Sequence, residues 1–143
     1  MPDINHLVNI ARPPEAIFPL VAEGRGFAEW WAEDIFEELG DWVSLGFFDR
    51  ATVYRLHKEE IVPNVRAVWN CESGTEWKDT RLVFELAAKG SITILHFSHA
   101  GWREDTEYFR MCNTTWGELM YRLKAAAEGK NRGPLFRASD LAY

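Results

Sequence analysis

The sequence predicts an α+β fold: a curved antiparallel sheet of about seven strands wrapped round one long C-terminal helix, with two short helices after the first strand. Three observations carry this. One alternating segment opens the chain and is followed at once by proline-led helical residues. Residues 35–100 break into short alternating runs joined by tight turns, and residues 103–129 hold one unbroken helical stripe. Turns that short allow only antiparallel neighbours. A chain of 143 residues, 47% hydrophobic and 27% charged, can bury one core without disulfide or metal staples.

"INHLVNI" (Ile4 to Ile10) alternates with period two and reads as the first strand. In "RPPEAIFPLV" a proline pair precedes a helix starting near Pro14, with proline in its first turn, and Pro19 keeps that helix short or kinked. "FAEWWAE" reads as a second short helix or turn that presents Phe27, Trp30 and Trp31, the first and last sharing a face. Strands follow near 35–39, 44–49, 52–62, 65–71, 77–88 and 91–100, with "AKGS" as the hairpin turn between the last two. In "REDTEYFRMCNTTWGELMYRLKAAAEG", Phe109, Cys112, Trp116, Leu119, Met120, Leu123 and Ala127 fall on one face of a long helix. Glu104, Asp105 and Glu107 are expected in its first turn, and Gly129 ends it. Residues 1–129 are thus expected to form one domain. Residues 130–143 read as a C-terminal tail whose Leu135, Phe136 and Leu141 dock on the body or on a second subunit.

Composition excludes several classes. The formal charge is −6 and no Lys/Arg run exceeds two residues, so a nucleic-acid partner is not expected. No run of eighteen apolar residues and no signal-peptide pattern occurs, which predicts a cytoplasmic protein with no membrane insertion. In that reducing compartment Cys71 and Cys112 are expected as buried thiols. No C-x-x-C, H-E-x-x-H, phosphate loop, G-x-S-x-G or dinucleotide fingerprint occurs, so no cofactor or metal is implied.

The element order is a helix-grip arrangement, and five segments in that order carry a resemblance: "ARPPEAIFPLV", "FAEWW", "VPNVRAVWN", "LVFELAAKGSITILHFSHAGW" and "TTWGELMYRLKAAAEG". Over about residues 3–129 the chain resembles the START-like, or SRPBCC, superfamily, and within it the branch named after the activator of heat-shock protein 90 ATPase. It departs at "GDWVSLGFF", where relatives often show a glycine pair. The resemblance implies an internal cavity for apolar or amphipathic small molecules. Some relatives are cyclases or dehydratases and some bind chaperones, so the fold alone does not select an activity.

His96 and His99 lie three apart on one strand and therefore point to opposite faces, which excludes a shared metal. His99 is expected to hold the strand-to-helix turn. If the face of His96 points inward, it places an imidazole in an apolar pocket, where burial favours the neutral form. Both faces of this strand are largely apolar, which predicts that its outer face is covered by the tail or by a second copy in a homodimer. A cyclase reading would draw on Arg81, Glu85, Tyr108 and His96, but alternation puts Arg81 and Glu85 opposite Leu82, Phe84 and Leu86, on the water side. The expected ligand-binding residues are Trp31, Trp69, Phe84, His96, Phe109, Cys112 and Trp116. Their rings either fill the space between sheet and helix or line a pocket there for a hydrophobic small molecule.

Overall fold

In the computed structural model, residues 1–38, 41–130, 132–138 and 140 are described. Strand β1 (Ile4–Ile10) leads into helix α1 (Pro14–Ala22) and the single-turn helix α2 (Gly24–Phe27). Six strands follow, β2 (Asp34–Glu38), β3 (Trp42–Phe47), β4 (Thr52–Val62), β5 (Arg66–Cys71), β6 (Arg81–Lys89) and β7 (Ile92–Ala100), and then helix α3 (Glu107–Ala127). The strands form one antiparallel sheet in the order β1-β7-β6-β5-β4-β3-β2, so the chain closes by bringing its first strand beside its last. One bulge interrupts the β4–β5 register between Lys58 and Glu60, and such an extra residue adds bend and twist.

Several boundaries move. The strand expected from residue 77 begins at Arg81, because residues 75–79 form turns and Trp77 is buried against other rings instead of joining a ladder. The strand expected over 44–49 is Trp42–Phe47, and Phe48, Asp49 and Arg50 turn with φ of 55°, 54° and 64°. Of the strand expected over 35–39, the last residue lies outside the described residues. The long helix starts at Glu107, leaving Glu104 and Asp105 outside it. Thr106 caps it, its Oγ1 accepting from the Phe109 amide at 3.1 Å.

The end of α3 follows the helix-termination rules closely. Gly129 (φ +77°) donates to the Ala126 carbonyl and Lys130 to the Ala125 carbonyl, the paired bonds of a Schellman motif that needs a left-handed residue. Glu128 beside it accepts from the Ala11 amide and from Lys124, tying the β1–α1 connection to the helix.

The concave face of the sheet packs on α1, α2 and α3 with side chains from alternate strand positions. Leu82, Phe84 and Leu86 of β6 and Leu95, Phe97 and His99 of β7 are all buried, while Arg81, Glu85 and His96 face out. The tail does not cover that outer face. It runs along the opposite end of the molecule, where the Leu135 and Phe136 amides donate to the carbonyls of Trp30 and Trp31 and the Phe136 carbonyl accepts from Glu33. Among the described residues the outer face of β7 is therefore left open, with Leu7 of β1 exposed opposite His96. Leu141 lies outside the described residues. No helix among them is long and apolar enough to cross a membrane.

Candidate functional site

The interior between sheet and α3 is occupied mainly by rings. Phe27 meets Trp69 at 5.1 Å and Phe84 at 6.4 Å, and Phe84 meets Phe97 at 5.1 Å. The indole N–H groups of Trp30 and Trp69 donate to the carbonyls of Leu20 and Val21, so both rings are held as structural members. Phe109 packs edge-on against Trp102 at 5.2 Å. Trp69, Phe84 and Phe109 thus fill the core, and close packing of this kind leaves few voids beyond a water molecule in size.

A void does remain at one end. It is lined by Trp31, Phe47, Tyr54, Trp77, Cys112, Thr115, Trp116, Leu119 and Phe136. Its free volume is about 20 Å³, room for one water rather than an organic molecule. Of the residues expected from sequence to bind a ligand, Trp31, Cys112 and Trp116 meet here, with Trp31 and Trp116 at 5.0 Å. His96 does not: it sits on the convex face, opposite Leu7 and Glu85, because the alternation of β7 buries Leu95 and Phe97.

The other wall residues come from α3, from Phe47 of β3 and Tyr54 of β4, from the turn before β6 and from the tail. Thr115 and Leu119 share the α3 face of Cys112 at helical spacing, and Tyr54 shares the buried side of β4 with Leu56, so both signals lay in the pattern. Trp77 looked like the start of a strand. Phe136 is expected to dock on the body or on a second subunit, but no periodicity assigns it to this wall.

Tyr54 stacks on Trp77 at 4.0 Å and 11°, and its hydroxyl is hydrogen-bonded to that of Tyr108 from the N-terminal turn of α3. On the outer side of this tyrosine pair lies an open groove lined by Thr52, Gly74, Thr75 and Glu76. Trp77 Nε1 is buried with no oxygen or nitrogen acceptor, the weakly accepting Cys112 sulfur being the polar group beside it. Burial pushes the Cys112 thiol up to about 11, the nearby Trp77 and Tyr108 side chains opposing this only in part. It is therefore a protonated, apolar wall group at neutral pH.

His99 supports this wall from behind. Its Nδ1 accepts from the Trp116 indole at 3.1 Å, which leaves the proton on Nε2, and Nε2 donates to Thr80 Oγ1 at 2.8 Å. Thr80 Oγ1 in turn donates to the Trp77 carbonyl. Every donor in this relay has an acceptor only if the imidazole is neutral, and burial lowers its pKa to about 3. The chain thus fixes Trp77 and Trp116, two facing parts of the wall. Among the described residues no group of three or more His, Cys, Asp or Glu side chains is placed to hold a metal ion.

No family model matches the sequence, and no curated protein does. Solved structures do match. The Aha1 dimer from Colwellia psychrerythraea is similar at 28% identity and a TM-score of 0.78, over 90% of this chain and 97% of that one. CalU16 from Micromonospora echinospora shares the fold at 15% identity and a TM-score of 0.71, over 92% of this chain and 68% of its own. DynU16, from the dynemicin biosynthetic locus, does so at 16% identity and a TM-score of 0.71, over 90% of this chain and 48% of its own.

Proposed function

From the START-like (SRPBCC) helix-grip fold that this chain adopts, we propose that the protein binds a small aromatic molecule at the ring-lined void between α3, β3, β4 and Trp77. The observation that carries this is the Trp77 indole N–H, which has no oxygen or nitrogen acceptor in the apolar wall. A guest with a flat ring and one acceptor oxygen would stack in the series Tyr54, Trp77, Trp116 and satisfy that donor.

Titration with 2-naphthol, followed through the indole ¹H–¹⁵N signals of the seven tryptophans, tests the reading. The Trp77 signal should move saturably, while those of Trp30 and Trp69, bonded to backbone carbonyls, stay in place. Trp77→Phe should keep the ring stack but abolish any preference for 2-naphthol over naphthalene. If no indole signal moves up to the solubility limit, the protein is not such a binder.

That negative result would favour a second reading, supported by the nearly filled interior: an interaction domain that works through its surface, as a co-chaperone-like protein does. A cyclase-like reading draws less support, because Arg81, Glu85 and His96 face outward and Tyr108 lines the outer groove, reaching the wall only through its hydrogen bond to Tyr54. We also propose a homodimer, supported by the dimeric Colwellia structure and by the open outer face of β7. A sedimentation mass near twice 16.5 kDa is the result it requires.

A further inference from the structure

Resting on the guest site just described, we propose that residues 132–138 are a displaceable strap. The ring of Phe136 holds the guest's place in the wall, and a guest binds by exchange with it. The space remaining beside Phe136 is water-sized, so a ring-sized body must leave before one can enter.

The wall residues differ in how firmly they are held. Phe47 and Tyr54 sit in the sheet, Cys112, Thr115, Trp116 and Leu119 sit in α3, and Trp77 is fixed by the Thr80–His99–Trp116 relay. Phe136 stands apart. Its segment joins the body through the Leu135, Phe136 and Glu33 amides, the Ala138 amide on Glu33 Oε1 at 2.8 Å, Arg122 Nη1 on the Arg132 and Gly133 carbonyls, and a longer Arg137–Glu33 contact at 3.9 Å. The isolated bridge between Ala32 and Phe136 continues into no strand ladder.

The geometry suits release. The first half of the strap, Arg132 to Pro134, borders an open cleft of about 590 Å³ against Ala126 and Glu29, and α3 holds it through Arg122, whose Nη1 donates to the Arg132 and Gly133 carbonyls at 3.3 Å. Gly129 precedes that half and Gly133 lies within it, both with positive φ. At Gly133 a Cβ would lie 2.6 Å from the Arg137 guanidinium. Phe136 meets Phe47 and Phe48 edge-on, at 5.2 Å and 87° and at 6.1 Å and 86°. An aromatic guest can inherit that arrangement. Phe48, Asp49 and Arg50 are three consecutive non-glycine residues with left-handed backbones, a conformation that persists only where its surroundings enforce it. Phe48 and Phe136 therefore hold each other, and departure of the strap frees the turn.

The closed strap lowers apparent affinity by the fraction of molecules in which it is open. Loosening it away from the wall must then strengthen binding. The full-length protein and its Glu33→Ala variant are titrated with 2-naphthol by the indole signals, and amide hydrogen exchange is measured with and without the probe. Glu33 is half exposed, so the variant removes the Ala138 and Arg137 contacts without touching the core. The strap predicts severalfold tighter binding by Glu33→Ala. It also predicts at least tenfold faster exchange of the Leu135 and Phe136 amides when the probe is bound, with the Trp69 and Leu123 amides not accelerated. A Trp77 shift on binding with unchanged tail protection would leave the site standing and overturn the strap. No indole shift in either protein would overturn the site, and the strap with it.

Discussion

His99 shows how a structural role can be expected from position while the contacts that define it stay hidden. Its place at the end of β7 predicts a turn-holding role, but the two partners that make it consequential, Trp116 and Thr80, are 17 and 19 residues away along the chain. The folded chain resists protonating it to about pH 3, whereas the unfolded chain takes up the proton near 6.5. Its contribution to stability is therefore fully present above pH 6.5 and is lost as pH falls from there toward 3. Between pH 7.5 and 5.0 the wild type should lose up to roughly 2 kcal/mol in urea unfolding that a His99→Gln variant, less stable throughout, does not lose. Equal pH slopes for the two proteins would contradict the neutral relay. His96 is the converse case. Alternation separates the two faces of β7 but does not say which is concave, because both carry apolar residues.

Among the elements, those with strong periodicity were legible. β4 spans the residues expected, β7 starts one residue later than expected, and the buried stripe of α3 runs from Phe109 through Ala127 as its spacing predicts. Local chemistry also sets the end of α3, which makes that end testable in isolation. Gly129 is left-handed with open space around its Cα, so Gly129→Ala meets no clash and costs only backbone strain. We expect a loss of about 1 kcal/mol by urea unfolding, with the urea m-value unchanged. A negligible loss would show that the Schellman bonds do not govern the helix end. The start of β6 was misplaced because an apolar Trp77 beside an alternating run looks like its first residue. Only its burial against Tyr54 and His99 makes it a turn residue.

The molecule closes when β1 reaches β7, pairing Ile4 with His99 and Ile10 with Thr93. Contacts so distant in sequence tie the termini of the sheet to one core. The same closure leaves an outer surface on β1 and β7 where Leu7 is 58% exposed beside His96 and Ile94. If a second copy covers this face, Leu7→Glu should convert the pair to monomers in sedimentation without lowering stability, since the side chain supports no part of the core. A monomeric wild type would remove the dimer from consideration.

Alternation, helical spacing and the punctuation of proline and glycine are local signals. They were enough to specify the strand, two-helix, six-strand, long-helix order and to place Trp31, Cys112 and Trp116 on faces that meet. The filling of the interior, the choice of Trp77 and Phe136 as wall, and the outward turn of His96 depend on which side chains together fill the volume between sheet and helix. That arrangement is settled by packing among residues far apart in the chain, and no periodicity encodes it.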